Sequence, residues 1–132
     1  MTKPILCLDF DGVIHSYTSG WKGADVIPDP PVPGALQFIV RAMEHFRVAI
    51  FSSRSNQPGG LTAMREYIGY WSVDETHGMP HDFDHGAWGA IEWPTEKPPA
   101  FVTIDDRALC FNGDWASYDP EWLLGFKPWN KR

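Results

Sequence analysis

The sequence predicts an α/β fold built on a parallel sheet, and three observations carry that expectation. Short, almost uninterrupted apolar runs at residues 5–10, 48–51 and 101–104 have the pattern of strands buried on both faces, not the alternation of a one-sided sheet. A stretch with helical apolar spacing lies between the first two runs and another follows the second. The resulting order strand, helix, strand, helix with short connections is that of parallel crossovers. Each run also ends in polar residues: Asp9-Phe10-Asp11, Ser52-Ser53-Arg54 and Asp105-Asp106-Arg107.

The first run, Ile-Leu-Cys-Leu-Asp-Phe, is broken by one acid and followed by Gly12, a turn residue. Asp9 and Asp11 are therefore expected at the carboxyl end of a strand. Residues 15–33 are rich in Gly and Pro, with Trp21 and Lys22 near the middle, which predicts a projecting loop or hairpin instead of a helix. Ala35, Leu36, Ile39, Val40, Met43 and Phe46 then recur at helical spacing directly after Pro33 and Gly34, a first amphipathic helix. Val48-Ala49-Ile50-Phe51 is the second buried strand, and Leu61, Met64, Ile68 and Trp71 mark a second helix.

Residues 72–99, rich in His, Gly, Pro and Trp, offer one short strand around Ala90-Ile91-Glu92. Residues 101–104 read as the final core strand. Asp119-Pro120-Glu121 supplies an N-cap, a proline at the first helical position and an acid near the positive end of the helix dipole, so a last helix is expected there, ending at Gly125. No repeat, low-complexity tract or linker divides the 132 residues. A single Rossmann-like domain over residues 1–132 follows, a parallel sheet with helices on both faces.

Hydrophobic residues are 43% and charged residues 21% of the chain, ordinary globular usage that excludes disordered and fibrous classes. A formal net charge of −6 speaks against a broad basic footprint for nucleic acid or an anionic membrane. No apolar run reaches the roughly 20 residues that span a bilayer, and the N-terminus meets Asp9 too early for a signal peptide, so a cytoplasmic protein is expected. Cys7 and Cys110 show no paired motif and read as reduced structural thiols. Most of the seven Trp are expected to fill the core, with one or two left to line a cleft. His77, His81 and His85 recur at intervals of four around Asp82 and Asp84. Pro80 and Gly86 work against a continuous helix there, and a structural or surface role is expected over a second metal site.

In open α/β sheets the carboxyl ends of the strands form the ligand crevice, so the three polar termini should converge. Four carboxylates in one crevice repel one another unless a cation is present, and a hard divalent ion with oxygen ligands, most simply Mg2+, removes the conflict.

These residues resemble the motifs of the haloacid dehalogenase-like superfamily of phosphohydrolases. Asp9-Phe10-Asp11-Gly12-Val13-Ile14 is similar to its first motif, Ser52 after an apolar strand to its second, Lys97 to its third and Asp105-Asp106 to its fourth. Lys97 stands only eight residues before Asp105, closer than in many members. The resemblance implies that Asp9 attacks phosphorus, that Asp11 protonates the leaving oxygen and later deprotonates water, and that Ser52 and Lys97 hold phosphoryl oxygens. It also implies Mg2+ on the Asp9 side chain, the Asp11 backbone carbonyl and Asp106, with Asp105 in support. Gly12, Ser53, Arg54, Arg107, Trp21 and Lys22 are candidate substrate contacts, although Arg54 and Arg107 are expected more often to pair with neighbouring carboxylates.

Neither interval between these motifs has room for a large cap domain, so the resemblance implies a small capless member, which acts on exposed phosphates or takes cover from a neighbouring subunit. Residues 15–33, leaving the sheet directly after the Asp9–Asp11 turn, are expected to form a small flap over the crevice. Its substrate is expected to be phosphorylated, a small molecule or the exposed end of a macromolecule, with nucleic acid disfavoured by the acidic charge. The alternative is a non-catalytic phospho-acceptor or binding module on the same scaffold. Motif order tells against a receiver-type acceptor, because the second acidic pair comes last in the chain.

Overall fold

The computed structural model describes residues 2–75 and 85–131. It is a small α/β fold around an open sheet of three parallel strands: β1 (Ile5–Leu8), β2 (Arg47–Ile50) and β3 (Val102–Ile104), in the order β2-β1-β3. Three α-helices accompany them: α1 (Ala35–Ala42), α2 (Gly60–Glu75) and α3 (Pro120–Leu123). Short 3-10 turns lie at His85–Ala90, Trp115–Ser117 and Trp129–Lys131.

β1 is central, and its register places Leu8 beside Ile50 on one side and Ile104 on the other. The pairing runs past the strand's end, where the Phe51 amide donates to the Leu8 carbonyl (3.1 Å) and the Asp9 amide to the Ile104 carbonyl (3.0 Å). All three strands therefore finish at one edge. Leu6, Cys7 and Leu8 of β1 and Val48, Ala49 and Ile50 of β2 are all buried, as unbroken apolar runs require. α1 contributes Leu36, Ile39 and Ala42, one stripe at a spacing of three, and α2 contributes Met64, Tyr67 and Ile68. Arg41 in the last turn of α1 complements the helix dipole.

The expected strand at residues 90–92 is a single bridge: Glu92 pairs in parallel with Ala49, exchanging hydrogen bonds with Val48 and Ile50 (2.9 and 3.0 Å). The Arg47 guanidinium grips the Glu92 carboxylate with two bonds of 2.8 and 2.7 Å, an exposed pair that aligns the bridge but adds little stability. The last helix begins as expected, with the Asp119 carboxylate accepting from the Glu121 amide and proline in the first turn.

Three expectations are corrected. Residues 101–104 are not a core strand: β3 pairs only with β1 and all three of its residues are exposed, while Phe101 just before it is 76% exposed. An edge strand of three residues has too few neighbours to be covered on both faces. The Trp residues do not fill the core either. Trp71, Trp88 and Trp93 pack partly buried against it, whereas Trp21, Trp115, Trp122 and Trp129 are exposed. Rings of this size do not fit between four-residue strands, and Trp115 instead joins Phe111 and Tyr118 in a surface cluster with centroids 4.6 and 5.8 Å away. Cys7 is a buried thiol as expected, but Cys110 is exposed. His77 and His81 lie outside the described residues, and His85 opens the turn that ends at Ala90. Among the described residues, no helix is long and apolar enough to cross a membrane.

The contrast between the packed and open parts of the molecule can be measured. Ile39→Ala, which empties a fully buried site, should cost about 2–5 kcal/mol in chemical denaturation. Leu124→Ser, at a position 89% exposed, should change stability by no more than about 0.5 kcal/mol.

Candidate functional site

The turn that follows β1 is wound tightly on one carbonyl. Phe10 accepts from the amides of Val13, Ile14 and His15, while the Gly12 amide donates to the His15 carbonyl at 2.8 Å. Gly12 has φ +80°, a conformation that disfavours a side chain, and a Cβ there would land on Asp106 Oδ2. Glycine is thus required both by the turn and by the approach of the β3 terminus. The turn throws Asp9 and Asp11 to different surroundings, two residues apart.

Asp9 meets the acids of β3. Carboxylate oxygens of Asp9, Asp105 and Asp106 lie within 4.8 Å of one another. Burial, together with the charge of Asp105 and a shared hydrogen bond to Asp106, pushes Asp9 up to about 8, against its own bond from the Phe10 amide (2.8 Å). Asp105 accepts from the Arg107 amide at 2.8 Å. Asp106 Oδ1 is buried with no hydrogen-bond partner. A buried carboxylate oxygen left bare beside two further carboxylates is an arrangement completed by a proton or a cation.

Asp11 is not one of these three. Its side chain accepts from Arg54, Nε at 3.2 and 3.0 Å to its two oxygens and Nη2 at 3.1 Å. On its other side stands His15, with Nδ1 2.9 Å from Oδ1. The Asp29 amide donates to His15 Nε2 at 3.1 Å, so that nitrogen holds the lone pair and Nδ1 carries the proton given to Asp11. Although burial opposes it, the bonds from His15 and Arg54 hold the Asp11 carboxyl below the usual carboxylate range.

Residues 15–33 form no helix or strand and are closed at the base by an antiparallel bridge of His15 to Pro31. Asp29 staples the interior, accepting from the amide and hydroxyl of Ser19 (2.8 and 2.6 Å), while its carbonyl receives the Tyr67 hydroxyl of α2 (2.9 Å). Tyr17 is the one non-glycine described at positive φ, +63°, and its hydroxyl feels the charges of Asp11, Arg54, Arg107 and Asp106. Trp21 lies over the Arg54 guanidinium at 4.7 Å and remains 45% exposed. Lys22 is exposed beside it.

Ser52 is buried, its hydroxyl oxygen accepting from the Arg54 amide at 3.2 Å, so that its own proton is available. Ser53 is exposed and its carbonyl accepts from the Gln57 side-chain amide at 2.7 Å. Lys97 is exposed, and its charge is felt at Cys7, two residues before Asp9, where it opposes the rise that burial gives the thiol. The Arg107 side chain is exposed. Sequence reasoning missed His15, Asp29, Trp129 and Asn130. The Trp129 indole donates to the Gly12 carbonyl (2.7 Å) and the Asn130 amide to the Ser16 carbonyl (3.2 Å), contacts across 117 and 114 residues that leave no local pattern. His15, four residues after Asp11, had a local signal in its spacing.

Compared with protein-family models, with curated proteins and with solved structures, the chain has no match.

The raised Asp9 value has a signed consequence. In chelator-treated protein, folded Asp9 keeps its proton to about pH 8, whereas the unfolded chain releases it near pH 4. The folded state holds the extra proton in that interval, so stability should fall as pH rises from about 4 to about 8. Asp9→Asn should flatten that slope in denaturation midpoints measured across the window.

Proposed function

We propose that the protein is a magnesium-dependent phosphatase that hydrolyses a phosphomonoester through an aspartyl-phosphate on Asp9. In this reading it is a capless member of the haloacid dehalogenase-like superfamily, a single Rossmann-like domain with helices on both sheet faces, acting in the cytoplasm. The observation that carries the proposal is the trio Asp9, Asp105 and Asp106, oxygens within 4.8 Å of one another, with one buried Asp106 oxygen lacking any partner. An all-oxygen donor set of this kind fits a hard divalent cation better than zinc or copper. Asp9, the Asp11 backbone carbonyl and Asp106 would hold Mg2+, supported by Asp105. When bound, the ion offsets the charge of these carboxylates and of the phosphoryl oxygens.

The chain's own residues divide the remaining work. Asp9 attacks phosphorus, the bond to the leaving oxygen breaks and an acyl phosphate forms on Asp9. Asp11 gives the departing oxygen a proton. In the second step Asp11 takes a proton from the water that attacks phosphorus, phosphate leaves and the Asp9 carboxylate returns. The ionised state that Arg54 and His15 favour suits the second role directly. The free Ser52 hydroxyl proton and the Lys97 ammonium hold phosphoryl oxygens, and the Gly12 turn, Ser53 and Arg107 border the substrate. Trp21 and Lys22 on the flap face the leaving group, so the substrate is an accessible phosphate on a small molecule or a macromolecular end.

Phosphomonoesters, phosphopeptides and phosphorylated oligonucleotides assayed with and without Mg2+ test the reading, which predicts phosphate release that a chelator abolishes. Asp9→Asn should remove turnover while keeping the fold, and with less carboxylate repulsion its metal-free melting temperature should hold or rise. Wild-type turnover in that variant would remove Asp9 as nucleophile. Asp11→Asn should lose roughly 100-fold or more on alkyl phosphates and much less on p-nitrophenyl phosphate, whose leaving group needs little protonation. Equal losses on the two would assign Asp11 to shaping the site only.

A further inference from the structure

We propose that Arg54 is a positioning residue that makes the seating of the flap and the orientation of Asp11 a single event, an inference that rests on reading Asp11 as the acid and base of hydrolysis. The Arg54 side chain is 0% exposed, and its donors are divided between two parts of the protein. Nε and Nη2 face the Asp11 carboxylate at 3.0 to 3.2 Å. Nη1 faces the flap, donating to the carbonyls of Gly23 (2.7 Å), Ala24 (2.9 Å) and Val26 (3.2 Å). Trp21, also in the flap, closes over the guanidinium carbon at 4.7 Å.

A guanidinium is planar and rigid, so one edge cannot follow the flap without drawing the other off Asp11. Arg54 itself has little freedom to yield. Its amide is tied to Ser52, and a Cβ at Gly60 would land on its carbonyl. Burial completes the coupling: with the flap lifted, three donated bonds are lost, and with Asp11 turned away a sealed cation is left without its counter-charge, a costly state. His15 repeats the connection at the flap's base, one ring nitrogen on Asp11 and the other receiving the Asp29 amide. Asp11 is thus aligned only when residues 23–26 are seated, and the flap's substrate contacts and the proton-transfer group assemble together.

The latch is tested by a readout that needs no catalysis and by one that does. Lys22 is exposed in the flap, and trypsin cleavage after it reports flap release. Arg54→Lys, which cannot span both partners, and Asp11→Asn, which removes the anchoring charge, should each speed that cleavage roughly 10-fold or more, as expected for local opening. In turnover, Arg54→Lys should copy the Asp11→Asn pattern, losing on the order of 100-fold on an alkyl phosphate and far less on p-nitrophenyl phosphate. The double variant should be no worse than Asp11→Asn alone. Unchanged cleavage in both variants overturns the latch, as does a parallel loss on both substrates with additive effects, the behaviour of a plain core ion pair. If Arg54→Lys fails to fold, cleavage of Asp11→Asn decides: acceleration supports the latch, no change overturns it. If the wild type hydrolyses no phosphomonoester, the phosphatase reading fails and the flap coupling stands or falls on the cleavage rates.

Discussion

A strand hydrogen-bonded on both sides to parallel neighbours must deliver its carboxyl end to the same edge as theirs, and β1 is that strand. The pairing of Leu8 with Ile50 and Ile104 places Asp9, Ser52 and Asp105 one or two residues beyond the sheet on three adjacent strands. Everything chemical in the molecule depends on this registration. The Asp9 amide bonded to the Ile104 carbonyl sets how far β1 reaches before the chain turns. Gly12 then lets Asp106 approach to a distance no side chain would permit. The acidic cluster is therefore a product of backbone geometry, its position fixed by the pairing of β3 with the buried central strand β1.

The carboxylates at this edge are treated in two opposite ways. Asp11 is compensated from within the protein, by a sealed arginine and a buried histidine, and its proton affinity falls. Asp9 is partly buried beside Asp105 and Asp106 with no cationic side chain bonded to it among the described residues, and burial together with these acids raises its proton affinity. Two groups two residues apart are pushed in different directions by burial and partners, the arrangement that separates an acid-base group from a charge-binding or nucleophilic one. Internal compensation of Asp11 leaves the cluster of three as the place where an external charge is best accommodated.

The loop of residues 15–33, proposed above as a flap, lies beside the Asp11 environment through His15 and Arg54. It is held by side chains from three other parts of the chain, Arg54 after β2, Tyr67 on α2, and Trp129 and Asn130 after α3, together with its own His15 and Asp29. The bonds from Arg54, Tyr67 and Asn130 go to flap backbone and that from Trp129 to the Gly12 carbonyl in the turn before it, so the loop's path is specified without repeating secondary structure. Tyr17 at positive φ sits in this frame, a strained residue kept in place because its surroundings over-determine it.

Sequence alone determined the parts that depend on local pattern. Unbroken apolar runs identified the three strands, 3.6-residue spacing identified α1 and α2, and the Asp119-Pro120-Glu121 signature located α3, because burial and capping act on residues close together in the chain. The same logic put Asp9, Ser52 and the Asp105-Asp106 pair at strand ends. Tertiary structure alone decided what those residues face. That β3 lies exposed at the edge follows from its pairing with β1 only, which its apolar composition does not reveal. That Asp11 turns from its neighbouring acids toward Arg54, 43 residues on, follows from the direction of a turn and a guanidinium that reaches two partners at once. Likewise Trp129 reaches the Gly12 turn and Asn130 the base of the loop across more than a hundred residues. Periodicity records which face of an element is buried, whereas a hydrogen bond between distant loops depends on three-dimensional direction, which only the assembled fold supplies.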